Sequence, residues 1–196
     1  MKRIIDIGLS SLGLIFLSPF FLLVAFLIKL TGKGPVFFVQ TRIGLDFKPF
    51  RFYKFRSMVP DAPRIGPPVT ADGDIRITKI GRYLRKTKID EFPQLFNVLK
   101  GDMSLVGPRP ESEKYVQLFR DEYREILKVK PGITDCATLE YRNEEEILQG
   151  YEDPEKGYIE EILPRKLELS KRYLDRRNLW LDLVIILKTV GRIIFP

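Results

Sequence analysis

Hydrophobic positions change period several times along the chain, and each change marks an element. Residues 7–28 run for 22 positions without a charge, long enough for a membrane helix. Residues 36–40 and 49–55 are short Phe- and Val-rich runs parted by Gly44-Leu45-Asp46, and predict a small β-hairpin. Residues 60–74 hold four prolines plus Gly66 and Gly73, and predict a loop. Ile77, Ile80, Gly81 and Leu84 fall at i, i+3, i+4 and i+7, with Arg82, Arg85 and Lys86 on other faces, which predicts an amphipathic helix with a basic side. A second helix is expected over 90–100, striped by Phe92, Leu95, Phe96 and Leu99 and stopped at Gly101. A third follows Pro110, with Val116, Phe119, Tyr123, Ile126 and Leu127 as its stripe. Residues 155–177 read as helical with Pro164 as a break. The tail, Leu179–Ile194, is apolar nearly all round, so it is either buried or lies in a membrane interface with Trp180 at headgroup level. The fold class is therefore helix-rich α+β. A membrane segment over 1–34 precedes one small domain over 35–196.

The membrane segment has an irregular interior. Ser18-Pro19 stands near its middle. Pro19 lacks an N–H and clashes with the carbonyl of Ile15, which favours a kink. Ser18 or tertiary packing could satisfy the freed carbonyl. Each half is about 11–12 residues, roughly 17 Å, too short to cross a hydrocarbon core of about 30 Å. Lys2 and Arg3 precede the segment; Lys29, Lys33 and Arg42 follow it. The positive-inside preference thus places both ends in the cytoplasm. Two topologies fit best, a re-entrant helix that bends at Ser18-Pro19 and an ordinary kinked spanning helix; a buried core helix fits this length less well. Thr31-Gly32-Lys33-Gly34-Pro35 follows where a signal peptide would carry a small-residue cleavage site, so the segment is expected to be retained.

Composition removes whole chemistries. The 196 residues include no histidine and one cysteine, Cys136. Histidine-based triads, histidine-ligated metals, cysteine zinc clusters and intrachain disulfides are excluded. Catalysis must run on carboxylates, Lys, Arg, hydroxyls or a hard metal ion. The net charge of +7 is uneven, about +10 over the first 110 residues and −3 over the rest. A basic N-terminal half suits an anionic partner. No nucleic-acid-binding module is visible and the last 86 residues are net negative, so nucleic acid is not the expected partner.

The densest chemistry lies at 86–96, Lys86-Thr87-Lys88-Ile89-Asp90-Glu91-Phe92-Pro93-Gln94-Leu95-Phe96. Proline is tolerated only in a first helical turn, so Pro93 puts the helix start near Asp90, with Asp90 as its N-cap. Two adjacent carboxylates then sit at the positive end of a helix. Taken alone, such a pair is more often a cap and a first-turn acid; the four cations at 82, 85, 86 and 88 and the membrane segment tilt it toward chemistry. Gly107-Pro108-Arg109-Pro110 is a rigid turn carrying a guanidinium fork suited to phosphate. Lys130-Pro131-Gly132-Ile133-Thr134 is a second rigid turn headed by a cation. Lys54-Phe55-Arg56-Ser57-Met58 ends the hairpin with two more. There is no Walker-type loop and no GxGxxG.

Together these runs resemble the bacterial sugar transferases called small monotopic phosphoglycosyl transferases. The resemblance covers nearly the whole chain in order, and residues 89–110 carry it most specifically. It implies transfer of a sugar phosphate from a UDP-sugar to undecaprenyl phosphate at the cytoplasmic face of the inner membrane. It further implies a need for magnesium and a re-entrant helix broken at Ser18-Pro19 as the membrane anchor. In that reading Asp90 is the nucleophile and Glu91 orients it or helps bind the metal. Lys54, Arg85, Lys88, Arg109, Lys130 and Arg142 neutralise phosphates. The sequence departs from the family pattern in two places. Lys130 stands where the family has Arg, and Asp135-Cys136-Ala137-Thr138 replaces Gly-Trp-Ala-Gln. Arg142-Asn143 recovers the family's later pair, and the acidic run Glu144, Glu145 and Glu146 beyond it, not general to the family, is either a donor-selecting difference or a solvated face, the second being the favoured reading. The sugar and the oligomeric state are not legible.

Overall fold

A computed structural model describes residues 1–66, 69–71 and 73–194. Parts of the expected 60–74 loop thus lie outside the described residues; within it Ala62–Ile65 forms a single helical turn, α2. The chain starts with α1, Lys2–Leu30, which continues without interruption through Pro19. The Ser18 hydroxyl donates to the Ile15 carbonyl at 2.9 Å, meeting the acceptor that proline leaves free. One face of α1 packs on the rest of the protein along its whole length. At its start Arg3 donates to the carbonyls of Val98 (2.5 Å) and Leu99 (3.0 Å). Asp6 accepts from the Ser104 hydroxyl at 2.9 Å and the Leu105 amide at 3.1 Å. Lys2 pairs with Asp182. At its end Val24 and Ile28 are buried against Phe55, Leu84 and Ile89. Arg56, itself buried, donates to the carbonyls of Ile28, Gly32 and Lys33, where a cation complements the negative helix end. The opposite face carries Ile4, Leu12, Ile15, Phe16, Leu22 and Phe26, all well exposed. The first turns of the helix are therefore amphipathic in reverse, with Lys2, Arg3, Asp6 and Ser10 turned inward and large apolar groups outward, whereas its last turns bury Val24 and Ile28.

The hairpin pairs β1, Phe37–Ile43, with β2, Pro49–Phe55, antiparallel from Phe37↔Phe55 to Ile43↔Pro49. β1 runs three residues further than the hydrophobic pattern indicates. The turn is closed by Asp46 and Phe47 at positive φ. α3, Lys79–Lys86, starts after Thr78, whose hydroxyl accepts from the Gly81 amide at 3.0 Å. Ile77 thus falls before the helix and bridges to Met58 instead. Gly81 is where α3 touches the chain leaving β2: a Cβ there would stand 1.8 Å from the Ser57 carbonyl oxygen. Only glycine allows that approach.

The expected helix over 90–100 is corrected. Lys88 takes the left-handed conformation at φ 58, and Ile89–Glu91 form a 3₁₀ turn. α4 then spans Gln94–Lys100, with Pro93 at its N-cap and Gly101 at φ 93 ending it. Asp90 is not a cap; it lies one turn earlier. The third helix divides at Phe119 into α5, Glu113–Leu118, and α6, Arg120–Ile126. Between them and α4 the chain forms β3, Ser104–Val106, parallel to β4, Gly132–Thr134. The two rigid turns of the sequence meet here. A Cβ on Gly107 would stand 2.6 Å from the Lys130 carbonyl, and one on Gly132 2.1 Å from the Gly107 amide nitrogen. α7, Cys136–Glu140, and α8, Glu144–Gln149, follow. α9, Pro154–Gly157, passes through one π-helical turn, Tyr158–Ile162, into α10, Leu163–Arg176. Pro164 sits in the first turn of α10 and breaks nothing. α11 occupies Leu179–Ile194 as expected, with Ile185 buried against Val106 and Tyr173, and with Trp180 and Leu187 outward.

Candidate active site

A cavity of about 550 Å³ opens between the hairpin, the turn after α3, and the segment carrying α7 and α8. Its wall includes Lys54 from β2, Arg85 from the last turn of α3, Lys88 and Glu91 from the turn that follows, Arg109, and Arg142 and Glu145 beside α8. Five of the sequence-selected cations therefore face one space. Lys130 does not join them: its ammonium lies beside Gly101 and Arg3 at the far end of α4. The strand pairing explains this. Gly107 and Gly132 stack backbone to backbone, so the two turns leave their cations, Arg109 and Lys130, on different sides of the contact.

The centre of the cluster is an ion triad. Arg109 grips Glu91 with both guanidinium nitrogens, Nη1 to Oε2 at 2.9 Å and Nη2 to Oε1. Lys54 Nζ donates to the same Oε1 at 3.0 Å. Each side chain is under a quarter exposed. Burial works against the Glu91 anion, but Arg109 and then Lys54 outweigh it and hold the carboxyl well below the usual carboxylate range. Burial pulls Lys54 below the usual lysine range despite Glu91 and Asp90. The Arg109 guanidinium is held above its ordinary value: burial opposes its charge, and Glu91 overcomes it.

Asp90 is set apart from its neighbour. It is 3% exposed and does not line the cavity, although its neighbours Lys88 and Glu91 do. Its Oδ1 is buried with no hydrogen-bond partner among the described residues. Desolvation pushes its carboxyl up, while Lys54 pulls it down. Its turn rests on the end of α1, since Ile89 packs with Val24 and Ile28. The dyad thus splits into two chemically distinct carboxylates: Glu91 is saturated by cations, and Asp90 is unpartnered and desolvated.

The acidic run is not a solvated face, and that reading is corrected. Glu145 chelates Arg85, with Oε1 3.1 Å from Nε and 2.5 Å from Nη2. Glu144 pairs at 2.7 Å with Lys166, which is 7% exposed. Only Glu146 of the three is exposed. Arg142 donates to the Arg192 carbonyl and so ties this wall to α11. Sequence reasoning missed the deep end of the cavity, where Glu111 accepts from Arg42 at 2.8 Å and from the Tyr158 hydroxyl at 2.6 Å. These partners are 47 to 69 residues apart in sequence, so no local pattern announces them.

Among the described residues no three acids or other ligands gather into a closed metal cage. The adjacent pair Asp90 and Glu91 instead fits magnesium as it binds alongside phosphorylated substrates, through one or two carboxylates with waters and phosphate oxygens completing the shell. The unpartnered Asp90 oxygen is a free donor, and the Glu91 oxygens keep lone pairs beyond those their cations use.

Comparison with known proteins gives a consistent answer. The family described as Bacterial sugar transferase matches residues 1–196. The UDP-N-acetylgalactosamine-undecaprenyl-phosphate N-acetylgalactosaminephosphotransferase of Aeromonas hydrophila is 41% identical over 200 residues, covering 99% of this chain and 44% of that protein. The UDP-glucose:undecaprenyl-phosphate glucose-1-phosphate transferase of Klebsiella pneumoniae is 41% identical over 193 residues, covering 96% of this chain and 39% of that protein. The chain thus spans about two fifths of the length of these two relatives. A Bacillus subtilis protein named uncharacterized sugar transferase EpsL is nearer in size: it is 38% identical over 194 residues, 99% of this chain and 87% of that protein. With the dyad, the cation-lined cavity and a family match over every residue, the chain belongs to the bacterial sugar transferase family.

Proposed function

We propose that the protein is a phosphoglycosyl transferase. It moves a sugar 1-phosphate from a UDP-sugar to a polyprenyl phosphate, undecaprenyl phosphate being the expected acceptor, and releases UMP. The observation that carries this reading is the unpartnered, desolvated Asp90 beside a saturated Lys54–Glu91–Arg109 triad. An Asp90 oxygen attacks the phosphorus that bears the sugar. The bond from that phosphorus to the bridging oxygen breaks, and UMP leaves with the oxygen. An oxygen of the lipid phosphate then attacks the same phosphorus and frees Asp90, giving a polyprenyl diphosphate sugar. Catalysis of this kind is mostly positioning and charge stabilisation. Arg109 and Lys54 supply the charge, and Glu91 fixes their geometry. Arg85, Lys88 and Arg142 extend the anion-binding wall, and Arg85 must first exchange Glu145 for phosphate. Asp90 and Glu91 would hold magnesium, which when bound neutralises charge on the diphosphate.

We further propose that the protein sits monotopically on the cytoplasmic face of the inner membrane, at an early membrane step of surface glycan synthesis. Both ends of α1 bind one globular body, which supports an anchor with its two ends on the same side of the membrane; a re-entrant bend at Ser18-Pro19 in the bilayer belongs to this proposal. A spanning helix would have to carry that body into the hydrocarbon. A cysteine tag ahead of Met1 and an Asp121→Cys variant, each in a Cys136→Ala background, should both stay unlabelled by an impermeant thiol reagent in intact cells. Labelling of the tag alone means a spanning helix. The activity itself is tested with a panel of UDP-sugars and undecaprenyl phosphate in magnesium-containing buffer. UMP release with at least one donor is expected, and none with any donor sinks the reading.

A further inference from the structure

Asp90, Gln94 and Asn97 form a buried polar line on the face that the Asp90 turn and α4 present inward. Asn97 is saturated. Its Oδ1 accepts from the Tyr53 amide at 3.1 Å, and its Nδ2 donates to the Arg51 carbonyl at 2.6 Å. It staples α4 to β2. Gln94, one turn earlier and fully buried, is the opposite: neither Oε1 nor Nε2 has a partner among the described residues. A buried carboxamide without hydrogen bonds is costly and rare in folded proteins. The same surroundings satisfy Asn97, so polarity alone does not explain Gln94.

The next unpartnered atom on this line is Oδ1 of Asp90. Phe92 and Pro93 keep helical angles, so Gln94 lies one turn beyond Asp90 on a continuous path. Helical side chains lean toward the N-terminus, which aims the carboxamide at Asp90. The nucleophile also has to move. It is buried and does not line the cavity, so it must turn toward phosphorus, and any group that steers it must be uncommitted beforehand.

We infer that Gln94 is a positioning residue for Asp90, its amide N–H donating to the non-attacking carboxylate oxygen as the other oxygen turns onto phosphorus. This rests on the reading of Asp90 as nucleophile. Gln94 touches no substrate; it decides which oxygen attacks and at what angle.

The test is Gln94→Met, which keeps the volume and removes both unpartnered polar atoms. Four quantities are read on the purified protein: Tm, and the burst amplitude, burst rate and UDP-sugar KM of UMP release without lipid acceptor. Tm should be equal to or above wild type, and the amplitude should stay stoichiometric. The burst rate should fall about 100-fold, the scale of a misplacement near 1 Å, with the UDP-sugar KM within twofold. Asn97→Leu should behave oppositely, lowering Tm. A Gln94→Met burst at the wild-type rate overturns the inference. So does a lowered Tm, which would make Gln94 a structural group like Asn97. Wild-type protein that turns over with no burst overturns the Asp90 reading, and this inference with it.

Discussion

Asp90→Asn should abolish the UMP burst while leaving the fold intact or firmer. Wild-type protein mixed with its UDP-sugar, without any polyprenyl phosphate, should release one UMP per active site, because a covalent intermediate makes the two half-reactions separable. The burst should need magnesium. Asparagine matches aspartate in size but is no nucleophile, so turnover should fall on the order of 10⁴-fold or more, the scale seen when a group central to covalent catalysis is removed. Stability should not follow. Asp90 caps no helix and its Oδ1 has no hydrogen-bond partner among the described residues, and burial already disfavours its charge. A neutral amide relieves that, so chemical denaturation should give a midpoint at or above wild type. UMP release that strictly requires the lipid acceptor would instead indicate direct displacement in a ternary complex, and Asp90 would lose its role as nucleophile.

The second large effect belongs to Arg109 and has the opposite stability signature. Arg109→Met removes the two-pronged partner of Glu91 and leaves that carboxylate, 12% exposed, with Lys54 alone. Breaking a buried pair by removing one member costs about 3–5 kcal/mol. The remaining Lys54 contact and partial solvent access put the expected loss somewhat below that range, about 2–3 kcal/mol in a urea titration. Turnover should also fall, by about 10²–10³-fold, as for loss of one preorganised charge-stabilising donor. Arg109→Lys separates the two effects. The charge returns but the fork does not, so much of the stability should recover while most of the rate loss persists. An Arg109→Lys enzyme with wild-type turnover would show that only charge matters at this position.

The dyad, the hairpin and the tail helix were legible because each announces itself locally. Leu179–Ile194 carries apolar residues on nearly every face despite Asp182, Lys188 and Arg192, and the hairpin shows as two Phe- and Val-rich runs around Gly44-Leu45-Asp46. The dyad is flagged by its charge neighbours and by Pro93. The same proline misled on register. It dates the helix start only to within a turn, and the left-handed Lys88 used that freedom to insert a 3₁₀ turn. Asp90 therefore became a buried group rather than a cap. The parallel β3–β4 pair escaped notice because three-residue strands carry no period. Its one signal is the glycine in each rigid turn, and that signal reads as a turn until the two are seen to stack. The ion pairs of the cavity, Arg85 with Glu145 and Glu144 with Lys166, were unreadable for a different reason. Charge runs look solvated in a sequence, and only tertiary packing reveals partners 60 and 22 residues away.

The inverted polarity of α1 bears on how this protein can be divided. The boundary near residue 34 is a division of the chain but not of the packing. Val24 and Ile28 share a cluster with Phe55 and Ile89, and Arg3 and Asp6 are fastened to α4 and β3. Deleting α1 would not leave residues 35–196 as an intact, self-standing fold. It would strip a wall from the chamber that seats the Asp90 turn and lay bare Leu84 and Phe55. In the monotopic reading the bilayer is then a ligand of the native state rather than a mooring. Lipid partitioning and tertiary folding become linked equilibria, and whatever extracts the helix from lipid also loosens the turn that carries Asp90.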